Sequence, residues 1–213
     1  MSCFTVKPVM PSANARLTDA QVDQLADILD AEVKAAKSIR RISYRLAHDS
    51  SRKLGIITGY GLPREGLTTA ASFGFAHEDW THAGFSDRFE LVQARDNPAD
   101  EYERIVVAVA EASISTKKVP KAGLVYTDAV VSARLPELAK RMPHATLVFP
   151  YSWENFSSAE LRGGVKVWFM QVVPIYEVER KYLQQHGFAE FEQLLIDQGA
   201  HFHKFNREAY VAG

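Results

Sequence analysis

The most informative segment of the sequence is Val165-Lys166-Val167-Trp168-Phe169-Met170-Gln171-Val172-Val173-Pro174-Ile175-Tyr176. Large apolar residues occupy both alternating positions of this stretch, with Val167, Phe169 and Val173 in one set and Trp168, Met170 and Val172 in the other. Successive side chains of a strand point to opposite faces of a sheet, so neither face of this strand suits contact with water. We therefore predict a central strand over residues 165–176 that is covered on both sides.

The chain before this strand begins with a segment that has no clear period. Residues 1–16 contain two prolines among small residues and are predicted to form an extended N-terminal arm. Thr18 and Gln21 then have the spacing of a capping box, and apolar residues recur at helical spacing over residues 19–37. No linker long enough to separate two domains follows, so we expect residues 17–213 to form one domain.

The remaining pattern indicates the class of fold. Further strands are predicted at residues 41–46, 54–60, 67–75, 88–94 and 145–151. Helices are predicted after Asp96-Asn97-Pro98, over residues 135–142, and at about residues 177–185 and 188–197. This order lacks the strict alternation of strand and helix that is typical of a doubly wound sheet. We predict an α+β domain with a mixed, largely antiparallel sheet packed against helices.

Composition excludes several classes of function. The 213 residues include 25 Lys and Arg against 26 Asp and Glu, which gives a net charge of −1. A broad nucleic-acid-binding surface normally needs an excess of basic residues, so no nucleic-acid partner is expected. With 46% hydrophobic and 24% charged residues, the chain has the composition of an ordinary globular protein.

Cysteine usage and hydropathy indicate the compartment. Cys3 is the only cysteine, so an intramolecular disulfide and a multi-thiolate zinc site are both excluded. We find neither a signal-peptide pattern nor an uncharged apolar run of about 18 residues. The sequence therefore predicts a cytoplasmic protein without a membrane partner.

Catalytic and metal-binding motifs were sought by their spacing. His77 and His82 are five positions apart, whereas a zinc-protease helix needs histidines four positions apart to share a face. His201 and His203 would share a face in an extended segment, but no third ligand is in evidence nearby. No phosphate-binding loop, nucleophile elbow or kinase signature is present. We expect no catalytic residue, metal or cofactor.

Large aromatic residues in two predicted loops are the best candidates for a binding surface. One loop holds Glu78, Asp79, Trp80 and Phe85, and the other holds Trp153, Glu154 and Phe156. Tryptophan in a polar surround is typical of binding hot spots, because it buries much apolar area at low entropic cost. The alternative is that these side chains fold back and cap the sheet.

Four segments, taken in order, resemble the Suppressor of fused (SUFU-like) family, and its short bacterial members in particular. They are Thr68-Thr69-Ala70-Ala71-Ser72-Phe73-Gly74-Phe75, Arg88-Phe89-Glu90-Leu91-Val92, Ala145-Thr146-Leu147-Val148-Phe149-Pro150 and Val172-Val173-Pro174-Ile175-Tyr176-Glu177-Val178-Glu179-Arg180-Lys181-Tyr182-Leu183. The resemblance covers roughly residues 40–200.

This resemblance implies a non-enzymatic protein that works by binding another protein. Short bacterial members look like immunity proteins or antitoxins that neutralise a cognate toxin, and the acids in the two aromatic loops would suit a toxin with a basic face. The alternative is an enzyme or small-molecule-binding protein, with a pocket among Tyr60, His77, Trp80 and Trp153. The sequence leaves the oligomeric state open.

Overall fold

The computed structural model describes residues 16–47, 49–153 and 156–211, and these residues form one eight-stranded sheet with helices on both faces. The strands are β1 (Ser38–Leu46), β2 (Asp49–Tyr60), β3 (Thr68–Phe73), β4 (Arg88–Arg95), β5 (Val125–Tyr126), β6 (His144–Val148), β7 (Ser158–Leu161) and β8 (Val165–Ile175). The helices are α1 (Asp19–Val33), α2 (Arg104–Thr116), α3 (Ala129–Ser132), α4 (Pro136–Ala139) and α5 (Glu177–Asp197). Short 3-10 turns occupy Phe75–His77, Thr81–Ala83 and Asp100–Glu103.

The sheet order confirms the predicted class. The strands lie in the order β1-β2-β3-β4-β8-β6-β5, and β7 also pairs with β8. Among the described strands, β4 and β8 form the single parallel pair, and every other pairing is antiparallel. The sheet is therefore mixed and largely antiparallel, within an α+β fold.

Strand β8 occupies the centre of the sheet, as its apolar pattern predicts. One edge of β8 pairs with β4. Its other edge pairs first with β7, through Val165 to Trp168, and then with β6, through Gln171 to Ile175. With neighbours on both edges and helices on both faces, β8 is a core strand.

Each face of the sheet has its own helical cover. On the first face, α1 packs over Val167 and Phe169 of β8, and α5 packs over Val173 and Ile175 of the same strand. On the second face, α2 packs over Met170 and Val172. We call these the α1–α5 face and the α2 face.

Several element bounds differ from the predicted ones. Helix α1 ends at Val33 rather than near residue 37, although Gln21 does accept a hydrogen bond from the Thr18 N–H at 2.9 Å, as a capping box requires. Strand β6 ends at Val148, because Pro150 has no N–H to donate and the chain turns there. The two predicted C-terminal helices form α5, which is interrupted at Gly187, where φ is 81°.

Two further predictions concern the chain outside the sheet. Apart from Arg16, the predicted N-terminal arm lies outside the described residues. Among the helices that the structure describes, none is long and apolar enough to cross a membrane.

Candidate protein-binding surface

The first predicted aromatic loop folds back into the core. Trp80 is only 2% exposed and meets Phe75 and Phe89 edge-on, with ring centroids 5.8 Å and 6.4 Å away. It belongs to the cluster under α2. The expectation that Trp80 is an exposed hot spot is therefore wrong, because the 3-10 turns on either side of Trp80 direct its indole inward against the sheet.

The other predicted residues of this loop remain nearer the surface. Glu78 is half-buried and forms an ion pair with Arg52. The exposed carboxylate of Asp79 accepts a hydrogen bond from the Thr81 N–H at 2.9 Å, which helps to hold the pKa of Asp79 below its ordinary value. Phe85 is 43% exposed at the end of the loop.

The second predicted loop packs against the opposite face of the sheet. Phe156 is buried and stacks on Phe169 with a centroid distance of 3.9 Å, so the expectation that it is a surface residue is also wrong. Trp153 is half-buried, 6.3 Å from the Phe156 ring, and packs on the cluster under α1. Glu154 lies outside the described residues. The two predicted loops therefore do not join into one patch.

A different group of apolar side chains is exposed together. Phe149 is 44% exposed, Tyr151 is 48% exposed and Ile196 is 63% exposed. Tyr151 and Ile196 line an open depression of about 240 Å³, whose other lining residues include Val148, Phe188, Leu195 and Phe202. Phe149 adjoins this depression through its ring contacts with Tyr151 and Phe188. Clustered exposed apolar residues are a recognised mark of interaction surfaces.

Local structure explains why these side chains face outward. After β6 the chain turns tightly at Pro150, where the Tyr151 N–H donates to the Phe149 carbonyl at 2.8 Å. Tyr151 stacks on Phe202 at 6.1 Å, and its hydroxyl is hydrogen-bonded to Glu192 of α5. Phe149 meets Tyr151 and Phe188 edge-on, at 6.4 Å and 6.3 Å. The rings are thus fixed by aromatic contacts while one side of each faces solvent.

The depression continues along the α1–α5 face through two others that share its lining residues. A second depression, of about 210 Å³, is lined by Arg64, Leu67, Tyr151, Ser152, Ala200, His201, Phe202 and His203. A third, of about 660 Å³, is lined by Glu32, Leu62, Pro63, Arg64, Tyr151, Ser152, Trp153 and Phe156. Tyr151 lines all three. We call the three together the aromatic groove.

The middle of the aromatic groove is polar and basic. The guanidinium of Arg64 lies 3.4 Å from His203 Nε2. Burial lowers the pKa of His203, and the positive charges of Arg64 and His201 lower it further. Behind this part, the buried Gln171 donates a hydrogen bond to the Ser152 hydroxyl at 3.3 Å.

Buried polar clusters elsewhere hold elements together. On the α2 face, Glu103 is fully buried and accepts hydrogen bonds from Arg40, from the Tyr44 hydroxyl at 2.5 Å and from the Thr58 hydroxyl at 2.9 Å. This carboxylate joins the start of α2 to β1 and β2. It is satisfied by these donors, which is the arrangement of a structural rather than a catalytic group.

The histidines show no ligand cluster. In the described part of the chain, no group of three or more His, Cys, Asp and Glu residues could hold a metal ion. His82 Nε2 lies 3.0 Å from the Lys117 carbonyl oxygen, and the rings of His201 and His203 are 5.5 Å apart.

The residues named for a small-molecule pocket are not brought together. The Tyr60 hydroxyl is hydrogen-bonded to Asp100 on the α2 face, and Trp153 packs on the α1–α5 face. A separate polar depression of about 450 Å³ is lined by Asp96, Asn97, Pro98, Tyr102, Glu137, Leu138, Arg141, Phe205 and Asn206.

Sequence reasoning missed Phe149, Tyr151 and Ile196. Phe149 and Tyr151 lie in the strand predicted over residues 145–151, where the alternating pattern does not distinguish them from other strand residues. Pro150 between two aromatic residues was the available signal, since proline in a strand argues for its end. Nothing in the sequence of α5 distinguishes Ile196 from a core residue.

The comparisons with known proteins identify the family. A family model described as Suppressor of fused protein (SUFU) matches residues 51–208. Among curated proteins, none matches this chain.

Solved structures share the fold at low sequence identity. The SUFU homolog from Neisseria gonorrhoeae FA 1090 is 17% identical, with a TM-score of 0.65 over 91% of this chain and 98% of that one. A chain of the Sufu-Fu complex is 11% identical, with a TM-score of 0.65 over 90% and 92%. Drosophila Suppressor of Fused is 10% identical, with a TM-score of 0.63 over 92% of this chain and 52% of its own. Because the family model matches well over half of the sequence, the chain belongs to the Suppressor of fused family.

Proposed function

We propose that this protein acts in the cytoplasm by binding another protein, without catalysing a reaction, and that its partner is a cognate toxin. It would then be an immunity protein or antitoxin that neutralises the toxin by direct binding. The observation that carries the protein-binding part is the aromatic groove, which exposed Tyr151 and Ile196 line and which exposed Phe149 adjoins.

Membership of the family supports a binding role. A chain of the Sufu-Fu complex, in which Sufu is bound to Fu, superimposes on most of this one. The toxin as partner rests on the likeness to short bacterial members, and this chain covers nearly the whole Neisseria homolog. We place the interface at the aromatic groove, and Trp153, which lines it, is the predicted site residue that we retain there.

Covering the exposed aromatic cluster is energetically favourable. Burial of apolar surface contributes about 25 cal/mol of favourable free energy for each Å² removed from water. A partner that covers the exposed aromatic cluster therefore gains binding free energy. Its rings are already fixed by contacts with Phe188 and Phe202, so binding would cost little side-chain entropy. This is the composition and rigidity of a binding hot spot.

The test compares two phenylalanines of equal exposure on different parts of the surface. The partner is first recovered by co-purification from the source cell, or by co-expression with the products of neighbouring genes. Its affinity is then measured for Phe149→Ala, which adjoins the groove residues Tyr151 and Phe188, and for Phe85→Ala, in the first predicted loop. We expect Phe149→Ala to weaken binding by about 30-fold or more, on the order of 2 kcal/mol, and Phe85→Ala to have little effect.

Other outcomes would redirect the assignment. A loss of partner affinity in Phe85→Ala alone would assign the interface to the surface around Glu78, Asp79 and Phe85. A partner that is not toxic to cells lacking this protein would contradict the antitoxin role. Turnover or binding of a metabolite, with no protein partner recovered, would favour the enzyme or small-molecule alternative.

A further inference from the structure

The middle of the aromatic groove carries positive charge that the described residues do not neutralise. Arg64 is exposed, and its contact there is the His203 ring at 3.4 Å. Lys204 and His201 are exposed beside it. In residues 16–47, 49–153 and 156–211, neither Arg64 nor Lys204 forms an ion pair with a carboxylate.

The pKa of His203 reports the same imbalance. Besides burial, the charges of Arg64, His201 and Lys204 lower this pKa. The carboxylate of Asp96 raises it. Asp96 is one carboxylate against the two cations Arg64 and Lys204, and its Oδ1 also accepts a hydrogen bond from the Phe205 N–H, with the nitrogen 3.4 Å away. The site therefore has a net positive field, which favours an anionic group brought by a ligand.

Apolar surface lies on both sides of this basic centre. One side is formed by Tyr151, Phe188 and Ile196. The other is formed by Leu62, Pro63 and Trp153. The acids of the groove, Glu192 and Glu32, line its two opposite ends. The Glu192 carboxylate accepts a hydrogen bond from the Tyr151 hydroxyl.

We propose that the segment of the partner that binds the aromatic groove is an extended peptide with an acidic side chain between apolar ones, its carboxylate bound by Arg64 beside His201 and His203. This inference rests on the proposed function. An extended chain suits the site because the three depressions follow one another: the first two share Ala200 and Phe202, and Tyr151 lines all three.

A peptide fits better than a nucleic acid strand. A phosphate backbone would need a row of cations along the groove, and here basic residues occupy only its middle. The apolar sides match side chains such as Leu or Phe, and a carboxylate matches the fork of an arginine.

The experiment uses a phage-displayed library of random peptides selected on the whole protein. We expect enriched peptides to share an acidic residue flanked by apolar ones. One such peptide, fluorescently labelled, is then titrated against the wild type, Arg64→Glu, Arg64→Gln, Ile196→Glu and the control Arg45→Glu. Arg45 is a matched control because it is also exposed, lies on edge strand β1 and lines none of the three depressions.

The expected losses are specific to the charge pair. Arg64→Glu should weaken peptide binding by about tenfold or more, whereas Arg45→Glu should stay within about twofold of the wild type. Replacing the acid of the peptide by glutamine should cause a comparable loss in the wild type and little loss in Arg64→Gln, since the same pair is already broken. Unchanged melting temperatures would exclude misfolding as the cause.

Failure of this inference can be told apart from failure of the proposed function. Binding that is lost in Ile196→Glu and unchanged in Arg64→Glu would keep the groove and overturn the acidic chemistry. Binding that is unchanged in both variants would overturn the groove as well. A selection without acidic enrichment, or tighter binding of a single-stranded oligonucleotide than of any peptide, would also contradict the inference.

Discussion

Glu90 is a fully buried carboxylate that holds the beginning of the loop between β3 and β4. It accepts hydrogen bonds from the Gly74 N–H at 2.9 Å, from the Ala76 N–H at 3.0 Å and from the Ser72 hydroxyl. Burial raises the pKa of Glu90 to about 7, although these hydrogen bonds act in the opposite direction. Since the pKa in the folded state lies above the unfolded value, folding favours the protonated acid.

The stability that Glu90 contributes should therefore depend on pH. It is fully present below pH 4.5 and is lost as the pH rises through 7. The Glu90→Gln variant has no titratable group at this position. The difference between its free energy of unfolding and that of the wild type should therefore rise in favour of the variant by on the order of 3 kcal/mol from about pH 4.5 to above pH 7. Urea unfolding of both proteins across this range measures the difference, and the comparison cancels the contribution of His77, which burial shifts to lower pKa. A constant difference would contradict the prediction.

Trp80 and Phe85 belong to one loop but should respond differently to truncation. Trp80 is buried among core rings, so Trp80→Ala should lower the free energy of unfolding by about 3–5 kcal/mol. Phe85 is 43% exposed, and Phe85→Ala should change stability by less than about 0.5 kcal/mol. Chemical denaturation of both variants measures this. Equal midpoints would mean that the Trp80 indole does not pack in the core.

At the scale of elements, α5 depends on a close approach to the segment before β5. A Cβ on Gly123 would lie 2.6 Å from Phe188 Cβ, and Gly123 has a φ of 79°. Gly66 has a similar φ of 84° but nothing within 4 Å of its would-be Cβ. Gly66→Ala should therefore cost about 1–2 kcal/mol through backbone strain alone. Gly123→Ala should cost more, because it also pushes Phe188 away from the groove.

Thermal or urea unfolding of the two glycine variants separates the two causes. Equal costs would mean that α5 can move freely to accommodate the methyl group. If Phe188 supports the groove as described, Gly123→Ala should also weaken partner binding, while Gly66→Ala should leave it unchanged.

The sequence predicted those elements whose pattern is set locally. The double apolar alternation of β8 reports that both of its faces are covered, and residues Thr18 and Gln21 mark the start of α1. Strands β5 and β7 have two and four residues, too few for a period, and they exist because they pair with β6 and β8.

The candidate site was harder to predict for a related reason. Loop composition does not tell whether an aromatic ring turns inward, so the sequence leaves both a surface and a core position open for Trp80 and Phe156, and the structure shows the core position. Phe149, Tyr151 and Ile196 come from a strand end and a helix that only the tertiary structure places side by side. The family resemblance pointed to protein binding, but it did not indicate which surface binds.

At the scale of the whole molecule, β8 links the helical layers of both faces. Phe169 is 1% exposed and stacks on Phe156 under α1, while its neighbour Met170 packs under α2. We therefore expect one cooperative unfolding transition. Phe169→Ala should lower the free energy of unfolding of this single transition by about 3–5 kcal/mol. Far-ultraviolet circular dichroism and tryptophan fluorescence measure this together, since Trp80 and Trp153 report on opposite faces. Transitions that separate in the variant would indicate two independent units.

The affinity of the recovered partner for Ile196→Glu and Val131→Glu shows whether the aromatic groove is the binding surface. Both residues are exposed aliphatic side chains on helices, at 63% and 52%, but Ile196 borders the aromatic groove and Val131 lies on α3. If the groove is the binding surface, Ile196→Glu should weaken binding by about 30-fold or more, and Val131→Glu should leave it within about twofold of the wild type. Equal affinities of the wild type and Ile196→Glu would contradict the account.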